Sequence, residues 1–233
     1  TLGEDVTIWR IDLSAGAQRS LDSLAQILDD LEMSRWRRLR RADAAARFAA
    51  SHVALRVILG RVLGQAPHEI RFAQEENGKP TLADRELQFN LAHSGDVALV
   101  AVGGRRALGV DVEEIRRVPN LASMIRFACT PVEKQEIEDA PDEAARTKLF
   151  LEHWVRKEAA AKAVGQGLRI PLKRIEFVSN VWRAPACPPA AASVVHVQEA
   201  QCPGALAALA SLDQPCRFQM HCFCWRSTEA VGI

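Results

Sequence analysis

Almost no net charge separates the acids and bases of this chain, and that near-absence narrows its partners before any motif is read. Lys and Arg number 30 against 29 Asp and Glu, a formal +1. No bulk field draws such a chain to nucleic acid or to a membrane, and either partner would require a local patch. No apolar run approaches the length that spans a bilayer. The first residues, Thr1 to Asp5, are polar and acidic rather than signal-like, so a soluble, cytoplasmic protein is expected. The six cysteines include no C-x-x-C pair and crowd towards the end of the chain. Cys222 and Cys224 flank Phe223 beside His221, but the spacing of a tetrahedral zinc site is missing. Reduced, mostly buried thiols are the expectation.

What is present is ordinary globular material, 48% hydrophobic and 25% charged, in 233 residues, a length that suits two small domains. Val6 to Leu13 alternates as a strand, and residues 21 to 31 read as a short amphipathic helix. A longer helix is predicted from about Ala44 to Leu63, ended by Gly64 and Pro67. Ile70 to Ala73 is a candidate strand and Glu76 to Pro80 a turn. Leu87 to Leu91 and Val97 to Val102 flank a tight His93-Ser-Gly-Asp turn as a hairpin. Thr130-Pro-Val-Glu supplies a cap, a proline at the first helical position and an acid three past the cap. Lys148 to Gly165 is a further helix, 184 to 192 a Pro- and Ala-rich loop, and Ser193 to Val197 and Arg217 to Trp225 closing strands.

The halves repeat in outline. Ile8 to Phe72 reads strand, helix, helix ending in Leu-Gly, then Glu-Ile-Arg-Phe; Val110 to Phe177 reads strand, helix, helix ending in Gly-Leu, then Arg-Ile-Glu-Phe. This order predicts an α+β fold of two similar halves, residues 1–105 and 106–233, related by a pseudo-twofold axis, with a ligand cleft between them.

Three acids carry the chemical signal. Asp111 and Glu113 lie two apart in a predicted strand and so project from one face. Two carboxylates that close repel unless a cation lies between them. Mg²⁺ suits such oxygens and keeps positions open for phosphate, and Mn²⁺ suits the same donors. On the later helix Glu158 and Lys162 are four apart and share a face with Trp154. An acid and a lysine at that spacing are in most helices a solvated pair; beside two strand acids they make a three-carboxylate site with a lysine placed for phosphate.

Gly109-Val-Asp-Val-Glu followed by Trp154-Val-Arg-Lys-Glu-Ala-Ala-Ala-Lys resembles the paired signatures of 4′-phosphopantetheinyl transferases. Gly78-Lys-Pro and Phe89-Asn-Leu-Ala-His-Ser resemble two further motifs of the longer, surfactin-synthetase-type branch. The resemblance spans roughly residues 30 to 180 and implies a monomer supplying both halves of its own site. It implies that Asp111, Glu113 and Glu158 hold Mg²⁺ on the pyrophosphate of coenzyme A, while a carrier-protein serine attacks the phosphate bearing the pantetheine arm. Adenosine 3′,5′-bisphosphate would then leave. Lys162 is expected to contact that phosphate, Glu158 to act as base, and Glu133 to be a second candidate for the base. Lys79, His93 and Arg47 are expected to hold the coenzyme's phosphates, His93 and Arg47 at the 3′-phosphate. The segment holding Met124 and Phe127 is expected to help dock an apo acyl or peptidyl carrier protein. The family usually carries Ser where this chain has Ala92, which predicts weaker coenzyme binding by something like 1 kcal/mol.

Arg35-Trp-Arg-Arg-Leu-Arg-Arg holds five arginines in seven residues, read as a solvated helix face, a phosphate contact or an attraction for an acidic carrier. Nucleic-acid binding is not expected of one short patch on a near-neutral chain. Two other readings stay open on residues alone: another metal-dependent phosphotransferase or nuclease using the same acids, and a non-catalytic module that binds the carrier or coenzyme A.

Overall fold

A computed structural model describes residues 5–14, 26–74, 78–82, 87–165, 170–185 and 193–225. In chain order the elements lying wholly within the described residues begin with β1 (Val6–Asp12), α1 (Asp30–Arg37), α2 (Ala42–Leu63), β2 (Phe72–Gln74), β3 (Pro80–Leu82), β4 (Gln88–Ser94) and β5 (Val97–Gly103). Then follow β6 (Leu108–Glu114), α3 (Leu121–Ala128), α4 (Pro131–Glu138), α5 (Glu143–Val164), β7 (Val181–Ala184), β8 (Ser193–Glu199), β9 (Ala205–Leu212) and β10 (Phe218–Cys222). The fold is α+β.

The predicted repetition is visible in the pairing. One four-stranded sheet runs β10-β1-β5-β4 and the other β6-β9-β8-β7. In each, the opening strand of the half pairs antiparallel with the last strand of a later hairpin: β1 with β5, β6 with β9. Between them each half places a 22-residue helix, α2 or α5, closed by a left-handed glycine, Gly64 or Gly165. Both helices are followed by a 3₁₀ turn and a fully buried isoleucine, Ile70 or Ile175. β10 then returns from the second half to lie parallel to β1, and Phe223 and Trp225 enter the first half's core.

Three apolar clusters build four layers. α2 packs Val53 and Val57 against Ile11, Val100 and Val102. Ile8 and Leu99 of the first sheet meet Val110, Val112 and Leu209 of the second. α5 packs Ala159 and Ala163 against Ala208, Ala210 and Val197. β5 is buried along its whole length, which is why its sequence is a continuous apolar run rather than an alternating one.

Some local expectations shift. Of the helix expected over 21–31, residues 21–25 lie outside the described ones, 26–29 are turn and bend, and α1 begins at Asp30. Its start is fixed by a capping box in which Asp29 and Glu32 each accept the other's backbone N–H. The turn expected at Glu76 to Pro80 lies partly outside the described residues. Among the described residues no helix is long and apolar enough to cross a membrane.

Candidate active site

β4 and β6 run side by side where the two sheets meet, and Asn90 Oδ1 accepts the Val110 N–H at 2.9 Å. At their ends Ser94 Oγ donates to Glu113 Oε2 at 2.5 Å. The β4–β5 hairpin turns on Gly95 and Asp96, with Gly95 at φ +53°, the conformation a type II′ turn requires at its first central residue. Glu114 Oε1 accepts the Asp96 N–H at 2.7 Å.

On β6 the odd-numbered residues face α5. Gly109 makes that contact possible: a Cβ there would stand 2.2 Å from the Ala159 carbonyl oxygen and 2.5 Å from the Ala163 nitrogen. The close approach sets Glu158 and Lys162 over Asp111. Lys162 Nζ donates to Asp111 Oδ1 at 2.6 Å and to the Val110 carbonyl at 3.2 Å. Asp111 Oδ2 and Glu158 Oε1 are both buried and have no hydrogen-bond partner, a cost of roughly 1–3 kcal/mol each for groups of this kind.

The electrostatics follow from burial among like charges. Desolvation pushes the Asp111 carboxyl up to about 7, against the pull of Lys162, and Glu158 and Glu113 push it the same way. Glu158 is also raised, first by burial, with Lys162 opposing and Glu113 reinforcing. Two clustered carboxyls with raised pKa values, each with a buried oxygen that lacks a hydrogen bond, are donors suited to a hard cation. Glu113 sits at the margin of this pair, its Oε2 spent on Ser94. Among the described residues no three His, Cys, Asp or Glu side chains stand as a closed ligand set. The cluster therefore holds two orphaned oxygens and a third acid beside them, rather than a finished triad.

The remaining candidates divide. His93 opens to solvent at the end of β4; the protein wall behind it lowers its pKa, and His52, Lys162 and Arg47 act in the same direction. Burial remains the larger cause, and Lys162 and Arg47 bring the positive charge that makes this corner anion-seeking. Arg47 is held there by Asp96 Oδ1 at 2.8 Å and Asp43 Oδ2 at 3.0 Å. Lys79 Nζ donates to the carbonyls of Leu108 and Lys162, at 3.1 and 2.8 Å, so it braces β6 against the end of α5. Glu133 is not brought to the cluster. It completes the α4 capping box with Thr130, and its carboxylate pairs with Lys157, which is fully buried and also donates to the Ala128 carbonyl. Glu158 and Lys157 are neighbours in sequence, yet the helix turns them to different partners.

Ala92 points into the core between the sheets at 4% exposure, away from the anion-seeking corner. The five arginines of the basic run are all exposed, with Arg38 on Ser34 and Arg41 on Asp43, as a solvated face requires. Beside Glu113 a groove of about 210 Å³ is walled by Met124, Phe150 and Trp154. Sequence reasoning passed over Ser94, Glu114 and Asp96, which hold the strand ends together. Their signal was only their place within and beside recognised motifs.

Comparison with known proteins identifies the family. The sequence model of the 4′-phosphopantetheinyl transferase superfamily matches residues 107–214, and that of the 4′-phosphopantetheinyl transferase N-terminal region matches residues 16–104. The 4′-phosphopantetheinyl transferase HetI of a Nostoc species is 37% identical over 180 residues, 76% of this chain and 75% of its own length. The mouse L-aminoadipate-semialdehyde dehydrogenase-phosphopantetheinyl transferase is 29% identical over 58% of this chain and 47% of its own, so the chain spans about half the length of that relative. The chain belongs to the 4′-phosphopantetheinyl transferase superfamily, in its longer, two-halved branch.

Proposed function

We propose that this phosphopantetheinyl transferase grips the diphosphate of coenzyme A between Asp111, Glu113, Glu158 and Lys162, and the nucleotide's 3′-phosphate between Arg47 and His93. The reaction moves the 4′-phosphopantetheine arm to a serine of an apo carrier protein and releases adenosine 3′,5′-bisphosphate. The observation that carries this reading is the pair of buried, partnerless oxygens on Asp111 and Glu158 beside an ammonium group. Those oxygens fit Mg²⁺ by chemistry and burial, with Glu113 next to them. Bound there, the ion would neutralise charge gathering on the leaving phosphate.

The chain's own groups do the rest. Lys162 holds Asp111 in place and offers its ammonium to the same phosphate oxygens. Glu158, at the same cluster, takes the serine proton as the hydroxyl attacks phosphorus. Lys79 fixes Lys162 through the backbone, beside the coenzyme phosphates it is read to contact. The apolar groove by Trp154 and Met124 fits the carrier and the pantetheine arm. Because both halves of the site lie in one chain, the working form is read as a monomer.

The test is mass spectrometry of an apo carrier protein incubated with the enzyme, coenzyme A and Mg²⁺. A gain of one phosphopantetheine on serine is expected, lost on adding a chelator and in Asp111→Ala. Unmodified carriers across several classes would instead favour a module that binds without reacting.

A further inference from the structure

We propose that Glu114 is a positioning residue for coenzyme A: it clamps the Gly95–Asp96 turn so that Asp96 holds Arg47 beside His93. The inference rests on the reading above that Arg47 and His93 take the nucleotide's 3′-phosphate. Along β6 the side chains alternate, so Asp111 and Glu113 address α5 while Glu114 turns towards the other half. There its Oε1 accepts the Asp96 N–H at 2.7 Å. The fit is tight, since a Cβ on Gly95 would stand 1.9 Å from Glu114 Oε2. The same Asp96 anchors the first sheet, its carbonyl accepting the Leu13 N–H at 2.8 Å, and its side chain takes the Arg47 Nε–H at 2.8 Å. A continuous chain of bonds therefore runs from the strand that bears the acids to the arginine of the anion corner, crossing from one half to the other.

Stability does not explain this chain. Asp96 is 50% exposed and Arg47 33%, and ion pairs so open to water add little to folding. What they fix is direction: a guanidinium held at one end presents its remaining N–H groups along a set line.

The experiment measures steady-state kinetics with coenzyme A and with 3′-dephospho-coenzyme A for wild type, Arg47→Ala, Glu114→Ala, Glu114→Gln and the Arg47→Ala/Glu114→Ala double variant. Glu114→Ala is expected to raise KM for coenzyme A roughly five- to tenfold with kcat within about twofold, and to leave KM for the dephospho analogue little changed. Glu114→Gln keeps an acceptor for the Asp96 N–H and should stay near wild type. In the Arg47→Ala background the Glu114→Ala effect should vanish, because both act through one group. If Arg47→Ala raises KM but Glu114→Ala does not, or if the two effects simply add, the clamp is wrong while the reading of the anion corner survives. If Arg47→Ala leaves coenzyme A binding untouched, that reading falls and the clamp falls with it. A parallel drop in kcat and melting temperature for Glu114→Ala would mark it as structural and overturn the proposal.

Discussion

Asp111 spends one oxygen on Lys162 and keeps the other dry and unpaired, and a pH dependence follows. Its carboxyl titrates near 3.8 when unfolded and about 7 when folded. Between those values the folded chain holds the extra proton, so stability should fall as pH rises from about 4 to 7. Melting curves in a chelator across that range should show the slope, and Asp111→Asn should flatten it. Added Mg²⁺ should raise the melting temperature more at pH 8 than at pH 6, because protons compete for the same oxygens. Asp111→Ala and Glu158→Ala should each abolish turnover; a variant of either acid that still turned over at the wild-type rate would remove it from the assigned machinery. Glu133 belongs to a different account. Glu133→Ala strands a fully buried Lys157, so it should cost about 3–5 kcal/mol of stability, read by denaturant unfolding, before any effect on chemistry. The sequence made Asp111, Glu158 and Lys162 legible through their spacing. It gave Glu133 a capping role and a catalytic one together, and only the position of Lys157, twenty-four residues on, separates them.

At the scale of elements, the site depends on how closely α5 can lie on β6. Gly109→Ala would place a methyl group against helix backbone that has no flexible end to yield. The helix must lift, carrying Glu158 and Lys162 off Asp111, so melting temperature and kcat should drop together; retention of both would show that the helix has room to spare. The strands and helices that sequence revealed were those with a clean period or a strong punctuation. β4 and β5 were joined by a recognisable turn, and α2 and α5 had glycine stops. β9 escaped because Ala-Leu-Ala-Ala-Leu-Ala-Ser-Leu has weak strand propensity and no alternation. It is a strand because β6 and β8 pair with it on both edges, a fact of tertiary structure and not of local chemistry.

For the whole molecule, the repeat seen as a matching order of motifs proves to be a matching order of strand pairs, with one exception that no pattern disclosed. β10 crosses to the first sheet, and Trp225 Nε1 donates to the Asp12 carbonyl at 2.8 Å. Removing residues 217 onward should therefore injure the half farther away in sequence. It would bare the edge of β1 and take Phe223 and Trp225 from the first core, so poor solubility and lost exchange protection in β1 and β5 are expected, with β6 to β9 spared. Hydrogen exchange by mass spectrometry reads both.

That same strand crossing gives the protein a clock. Every hydrogen-bonded strand partner of β6 through β9 is encoded between Leu108 and Leu212, so the later sheet can pair without the chain's last strand. The earlier half, though synthesised first, must wait with an open flank until Phe218 arrives. The sheet whose first strand is made earliest is therefore the one completed last.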